Sequence, residues 1–326
     1  MLVPKNNLQR TLILCLLFTA SFATINGREK VALVLSGGGA KGAAEIGVLK
    51  YIEESQVPID YIVGTSIGAV IGGLYAVGYN ATQLDSLFRS QDWLSLLTSR
   101  EISNKAVYSH DSTGTQILGF PVTRKKTGKT GWGLMHGDSI LSKLYTLTNR
   151  CDSFDFSNLK IPFKCVAVDA NTFQEIVLER GILPLCMRAS MSIPFLYKPV
   201  KMDSTLLADG GLINNLPVDV AREMGADIVI AVDLTQKQRA ERKSEMKLGK
   251  NPMLNLIQWS IGRPDLKKYN RNIKDADIYI RPNLKGYHAR DFDIVNIMRM
   301  IRQGEYAGRK AMPELKKLRK KLADVQ

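Results

Sequence analysis

Two apolar runs, each leading into a glycine-rich turn and then a helical stripe, constrain this chain more than any other feature. The run "VALVLS" (31–36) is followed by "GGGAKG". The stretch from Gly42 to Glu54 then sets Ala43, Ile46, Val48, Leu49 and Ile52 on one helical face. The run "IDYIVG" (59–64) passes through Thr65 and Ser66 into a glycine- and alanine-rich helix over 67–78. Neither strand alternates apolar with polar residues, so each must be covered on both faces. Two strand–helix units in series argue a parallel sheet with helices packed on it. With 326 residues, 45% of them hydrophobic, the chain has core enough for one large domain. The predicted fold is a three-layer α/β/α domain around a mostly parallel central sheet.

Downstream, residues 81–97 read as helix, and Asp138 caps another that runs to about Asn149. Strands are expected at 162–169 and 174–179, then a helix in "PLCMRAS" (184–190) and a strand in "STLLADG" (204–210). A helix over 218–224 precedes the apolar strand "ADIVIAVDL" (226–234). Helices near 252–275 and 293–310 enclose a last strand, "ADIYIRP" (276–282). The stretch 98–137 is polar and weakly periodic, and reads as a long insertion of the kind that forms lids. The main domain is placed at 31–290, with a helical, basic extension at 291–326.

The first residues have a different character. "MLVPKNNLQR" carries Lys5 and Arg10 and no acid, and an uncharged apolar run with small residues at Ser21 and Ala23 follows. This is the layout of a secretory signal over residues 1–23, and it predicts an exported protein, periplasmic or peripheral to the outer membrane. Cys151, Cys165 and Cys186 remain after cleavage, unevenly spaced and with no C-x-x-C, so neither a disulfide scaffold nor a metal site is expected. The net charge of +14 is concentrated at 123–130, 237–250 and 316–321. For an exported protein an anionic membrane surface suits such a charge better than nucleic acid. Leu315, Leu318, Leu322 and Val325 share one helical face, which fits either an interfacial helix or one packed on the domain.

Three motifs carry chemistry. "GTSIG" sets Ser66 between Gly64 and Gly68, with a strand before it and a helix after. That is the context of a nucleophile held at a sharp turn on a helix N-terminus. In "SGGGAKG", Gly37, Gly39 and Gly42 fit the dinucleotide spacing G-x-G-x-x-G. No acidic residue ends the second strand to bind a ribose, and bare amides at a helix start also serve as an oxyanion hole. In "LLADGG", Asp209 ends an apolar strand ahead of Gly210 and Gly211. It is either a proton acceptor on the sheet edge that also carries Ser66, or part of an Asp-Gly turn.

Together and in this order, the three motifs resemble those of the patatin-like phospholipase family, over about Val31 to Tyr287. The stretches "MRASMSIP" and "NNLPVDVAREMGADIVIAVD" are similar to family sequence as well. The resemblance implies a Ser66–Asp209 dyad working without histidine and an oxyanion hole from Gly37, Gly38 and Gly39. Lys41, Gly42, Gly64, Gly68, Gly210 and Gly211 would support these motifs. It implies hydrolysis of phospholipid or other lipid esters with no cofactor. Where the family commonly has arginine and histidine, this chain has Lys41 and Glu45, so the electrostatics near the substrate should differ. The chain has three histidines, His110, His136 and His288. The last leaves open an α/β-hydrolase triad of Ser66, Asp209 and His288, although its strand is expected to lie far from the serine. A non-catalytic lipid-binding protein on the same fold is the other alternative.

Overall fold

The computed structural model describes residues 28–98, 107–110, 116–119, 135–148, 154–194, 196–236 and 266–324. The signal-like segment, Cys151, Val325, the basic runs at 123–130 and 237–250 and the 252–265 part of an expected helix lie outside the described residues.

Strand β1 (Val31–Leu35) leads into helix α1 (Ala43–Ser55), and β2 (Tyr61–Thr65) into α2 (Ile67–Val77). The stretch 81–97 forms two helices instead of one, α3 (Ala81–Ser90) and α4 (Trp93–Thr98). Asp92 causes the break, because its side chain accepts the Ser95 N–H (3.0 Å) and starts a second helix. Within the insertion, β3 (Val107–His110) pairs antiparallel with β4 (Gln116–Gly119). Next come α5 (Asp138–Thr148), β5 (Phe163–Asp169), β6 (Glu175–Leu178) and α6 (Leu183–Ser190). The short β7 (Val200–Met202), unmarked by any apolar run, forms a hairpin with β8 (Thr205–Asp209). The chain continues through α7 (Val218–Glu223), β9 (Ile228–Val232), α8 (Leu266–Asp275), β10 (Ile278–Ile280) and α9 (Ile294–Ala323).

The main sheet runs β10-β9-β1-β2-β5-β8-β7, with β6 also on β5. From β10 to β5 every pair is parallel; β6 and β8 pair antiparallel with β5. Residues on β1 face the two layers alternately. Val31, Leu33 and Leu35 join the core made with α1, α2 and α9, whereas Ala32 and Val34 join the core made with α7 and Tyr269 of α8. All five are fully buried, which is why this strand reads as an unbroken apolar run.

The register of β5 brings Ser66 and Asp209 to one edge. β6 covers β5 from Cys165 to Val168, overlapping the stretches paired with both β2 and β8. A strand has two edges, so β2 and β8 must share the other one. They arrive from opposite directions and meet end to end, Thr65 opposite Val166 and Asp209 opposite Ala167. Asp209 therefore reaches Ser66 along an antiparallel lane, not at the end of a parallel neighbour.

The helix expected at 293–310 and the helical extension after it form one helix, α9, which runs through Pro313 to Ala323. Leu315, Leu318 and Leu322 are buried, so the face that also fitted an interfacial helix packs on the domain. The helix crosses α1 at close range. A Cβ at Gly304 would strike the Ala44 carbonyl, which explains a glycine in mid-helix despite its poor propensity. Near its far end, Lys321 pairs with Glu29 at 2.5 Å, just before β1.

Candidate active site

The turn between β2 and α2 holds Ser66 at φ 56° and ψ −122°. An L-residue there is strained by ~1–3 kcal/mol, and the surroundings must hold it in place. The Ser66 N–H donates to Ser190 Oγ (2.9 Å), which in turn donates to the Val166 carbonyl (2.6 Å). A Cβ on Gly64 would run into the backbone of Gly68, and one on Gly68 into the Leu35 carbonyl. The glycines of "GTSIG" thus let the turn press against β1.

The Ser66 hydroxyl donates to Asp209 Oδ2 at 2.7 Å. Oδ1 of the same carboxylate accepts the Gly211 N–H at 2.7 Å, in the one-turn helix Gly210–Leu212. Burial dominates the acidity of Asp209. It pushes the carboxyl up to about 6, against the opposing effect of its hydrogen bonds from Ser66 and Gly211. Desolvation without a cationic partner leaves a base stronger than an ordinary aspartate, yet still ionised at neutral pH.

The glycine loop differs from expectation at one position. The Gly37 N–H donates to the Asn215 carbonyl (3.2 Å), and Asn215 Nδ2 donates back to the Gly37 carbonyl (3.1 Å). Gly37 is therefore clamped, and its amide is committed elsewhere. Gly38 and Gly39 donate to no group among the described residues, so they remain as the donors that an oxyanion could use. Gly39 has φ +59°. Lys41 is half-buried in the short turn that follows, and Gly42 packs its backbone on the Ile67 side chain. Ser66 and Asp209 share their cleft with Gly37–Gly39, Ile193, Pro194, Gly211, Leu212 and Asn215.

The stretch "MRASMSIP", whose role its sequence does not reveal, is the frame beneath Ser66 and Asp209. Arg188, 2% exposed, donates from Nη1 to Ser192 Oγ (2.5 Å) and from Nη2 to the His136 carbonyl (2.8 Å). Its guanidinium lies 4.5 Å from the centre of the Tyr197 ring, and burial lowers its pKa to about 10. The Ser192 carbonyl accepts the Asp209 N–H at 2.9 Å. Arginine, then two serines at alternate positions, was the available signal: polar residues on a helix end that also carries buried Cys186 and Met187.

Glu45 does not act on the substrate side, as its sequence position suggested. It is fully buried in α1, and no side chain among the described residues hydrogen-bonds its carboxyl oxygens. Burial raises its pKa strongly and the Asp233 carboxylate adds to this, with the Ser36 backbone opposing. A raised carboxyl favours folding at low pH, and that contribution is lost as pH rises through the folded-state value. Glu45→Met should therefore raise the melting temperature at pH 9 and raise it less at pH 5. A lower melting temperature at both would show that the carboxyl is stabilising.

None of the histidines joins the dyad among the described contacts. His288 is exposed and pairs with Asp291 at 3.3 Å. His136 Nε2 lies 2.5 Å from Lys198 Nζ. His110 ends β3, where only the backbone is described. The loop around His288 is nevertheless closer to the site than its sequence position suggested, since the Ala289 carbonyl accepts the Ala40 N–H at 2.9 Å. Cys165 and Cys186 are free and buried. Among the described residues no group of three or more His, Cys, Asp or Glu could hold a metal ion.

A family model described as patatin-like phospholipase matches residues 33–222. Patatin-like phospholipase domain-containing protein 7 of Rattus norvegicus is 34% identical over 213 residues, which are 65% of this chain and 14% of the rat protein. Patatin-like phospholipase domain-containing protein 6 of Homo sapiens is 35% identical over 213 residues, again 65% and 14%. Lysophospholipase NTE1 of Candida albicans is 31% identical over 212 residues, 65% of this chain and 14% of that protein. The match thus spans about a seventh of each of these relatives.

Proposed function

The chain belongs to the patatin-like phospholipase family, and on that premise we propose that it is a serine acyl-hydrolase cleaving ester bonds of phospholipids, lysophospholipids or related lipids. The observation that carries this reading is the 2.7 Å hydrogen bond from a strained serine to a buried aspartate with no cationic partner, beside two uncommitted glycine amides. Asp209 takes the proton from Ser66 Oγ as that oxygen attacks the ester carbonyl. The Gly38 and Gly39 amides hold the developing oxyanion. Asp209 then returns the proton to the leaving alkoxide, which departs as an alcohol and leaves an acyl-serine. Water, losing its proton to Asp209, attacks that ester; Ser66 regains a proton and the fatty acid is released.

The signal-like segment and the basic surface support an exported protein, held peripherally at an anionic membrane. No helix among the described residues is long and apolar enough to cross a membrane.

Assaying the full chain against phospholipids, lysophospholipids and short-chain aryl esters tests the activity. With its pKa near 6, Asp209 should give a kcat that plateaus above that pH and falls about tenfold per pH unit below it. An imidazole would produce a similar limb, so the profile must also be read in His288→Ala. That variant should keep both the limb and, within a few-fold, the rate. Loss of the limb or of about a thousandfold in rate on changing His288 would establish a triad and overturn the dyad.

A further inference from the structure

We propose that the active-site end of α9, with the loop that leads into it, is the surface by which this protein docks on an anionic phospholipid bilayer. The inference rests on the lipid-hydrolase reading above and says where the lipid surface is met. Helix α9 carries nine Lys and Arg residues against two Glu. One of these acids, Glu305, is tied to Lys50 at 2.7 Å. Ile297, Ile301, Gly304, Gly308 and Leu315 face the domain, while Arg299, Arg302, Lys310, Lys316 and Lys317 are exposed. The apolar stripe is thus used inside the fold, and the outward face carries a cationic strip from Arg299 to Lys321, about 33 Å long at 1.5 Å per residue.

The first turn of the helix breaks that pattern. Ile294 is 45% exposed and Val295 52%, a pair of branched apolar side chains in water beside the cations Arg299 and Arg302. Their place matters more than their number. The loop before them touches the glycine loop through the Ala289–Ala40 hydrogen bond, and a Cβ on Gly39 would meet Ala289. Exposed Arg290 follows Ala289 directly. Apolar tips next to guanidinium groups, at the rim of a cleft for lipid esters, match a bilayer's phosphate layer over its acyl chains. Asp291 and Asp293 on the same loop are partly used internally, accepting from the His288 and Asn296 N–H groups.

The test compares the full chain with Arg299→Glu/Arg302→Glu, Ile294→Ser/Val295→Ser and the far-end control Lys316→Glu/Lys317→Glu. Binding is measured by flotation on phosphatidylcholine vesicles with and without phosphatidylglycerol. Hydrolysis is measured on the same vesicles and on a soluble short-chain ester. Wild type should bind the anionic vesicles at least about tenfold better and lose that preference at high salt, because exposed charges are screened. Both active-site-end variants should lose about tenfold in vesicle binding and vesicle hydrolysis, yet hydrolyse the soluble ester within about twofold of wild type. The far-end control should lose less. Unchanged vesicle binding in both active-site-end variants would overturn the proposal. So would retention on DNA or RNA with no preference for anionic vesicles. If no ester is turned over but binding is still lost in those variants, the hydrolase reading fails and the docking surface stands.

Discussion

Replacing Asp209 with asparagine should lower kcat by about a thousandfold or more and, above pH 6, raise the melting temperature at the same time. The two effects have one cause. Folding places this carboxylate where its pKa is about 6 against an ordinary 3.8, so ionising it at neutral pH costs about 3 kcal/mol. The sign follows from proton binding. The contribution of a raised carboxyl is fully present below its unfolded value and is lost as pH climbs through about 6. Asparagine has no charge to desolvate. Its Oδ1 can still accept the Gly211 N–H while its Nδ2 faces Ser66. Thermal melts at pH 8 should show a gain of a few degrees that shrinks by pH 5. Ser66→Ala should match the loss of activity, and the double variant should be little worse than either, as in a unit that works together. A variant Asp209→Asn that kept more than about a tenth of wild-type kcat would remove Asp209 as the base, since under 1.4 kcal/mol would then be at stake.

Adding one methyl at Gly39 should cost about a hundredfold in kcat for a soluble ester, with KM little changed. Alanine at φ +59° is disfavoured, and its Cβ would press on the Ala289 carbonyl and lie 2.9 Å from the Ala289 Cβ. The loop must shift, and the Gly39 amide with it. Losing one oxyanion donor typically costs ~3 kcal/mol of transition-state stabilisation, which is where the hundredfold comes from. Gly37→Ala should also disturb the loop, but by displacing Asn215, whose side-chain oxygen the new methyl would strike. Activity of Gly39→Ala within about threefold of wild type, measured on folded protein, would remove this amide from the mechanism.

The layered fold was legible because β1, β2 and β9 are buried on both faces and so appear as unbroken apolar runs. Ser66 and the glycines around it were legible for a local reason: a strained turn with no room for Cβ atoms leaves its signature within five residues. Asp209 was found as a residue, but its route was hidden. Strand β8 meets β2 end to end, and only the pairing of both with β5 reveals it. The commitment of the Gly37 amide was equally hidden, because its partner Asn215 lies 178 residues away. Glu45 misled because a carboxylate one turn beyond a glycine loop reads as a substrate contact. Burial decides otherwise, with Ser36 and Asp233 of the neighbouring strand ends beside it in place of a substrate. The continuity of α9 was hidden because Pro313 weighs against an unbroken helix in sequence, whereas buried Met312, Leu315 and Leu318 hold it in structure.

In the proposed mechanism Ser66 forms the covalent acyl intermediate, with Asp209 as its base. A fluorophosphonate probe with peptide mapping tests it most directly, since the probe traps a serine that can be deprotonated beside an oxyanion site. One adduct is expected, on the peptide containing Ser66. Labelling should slow as pH falls below about 6, and drop by orders of magnitude in Asp209→Asn while staying near wild type in His288→Ala. An active enzyme that carried its label on another residue, or labelled Ser66 equally fast without the Asp209 carboxylate, would contradict it.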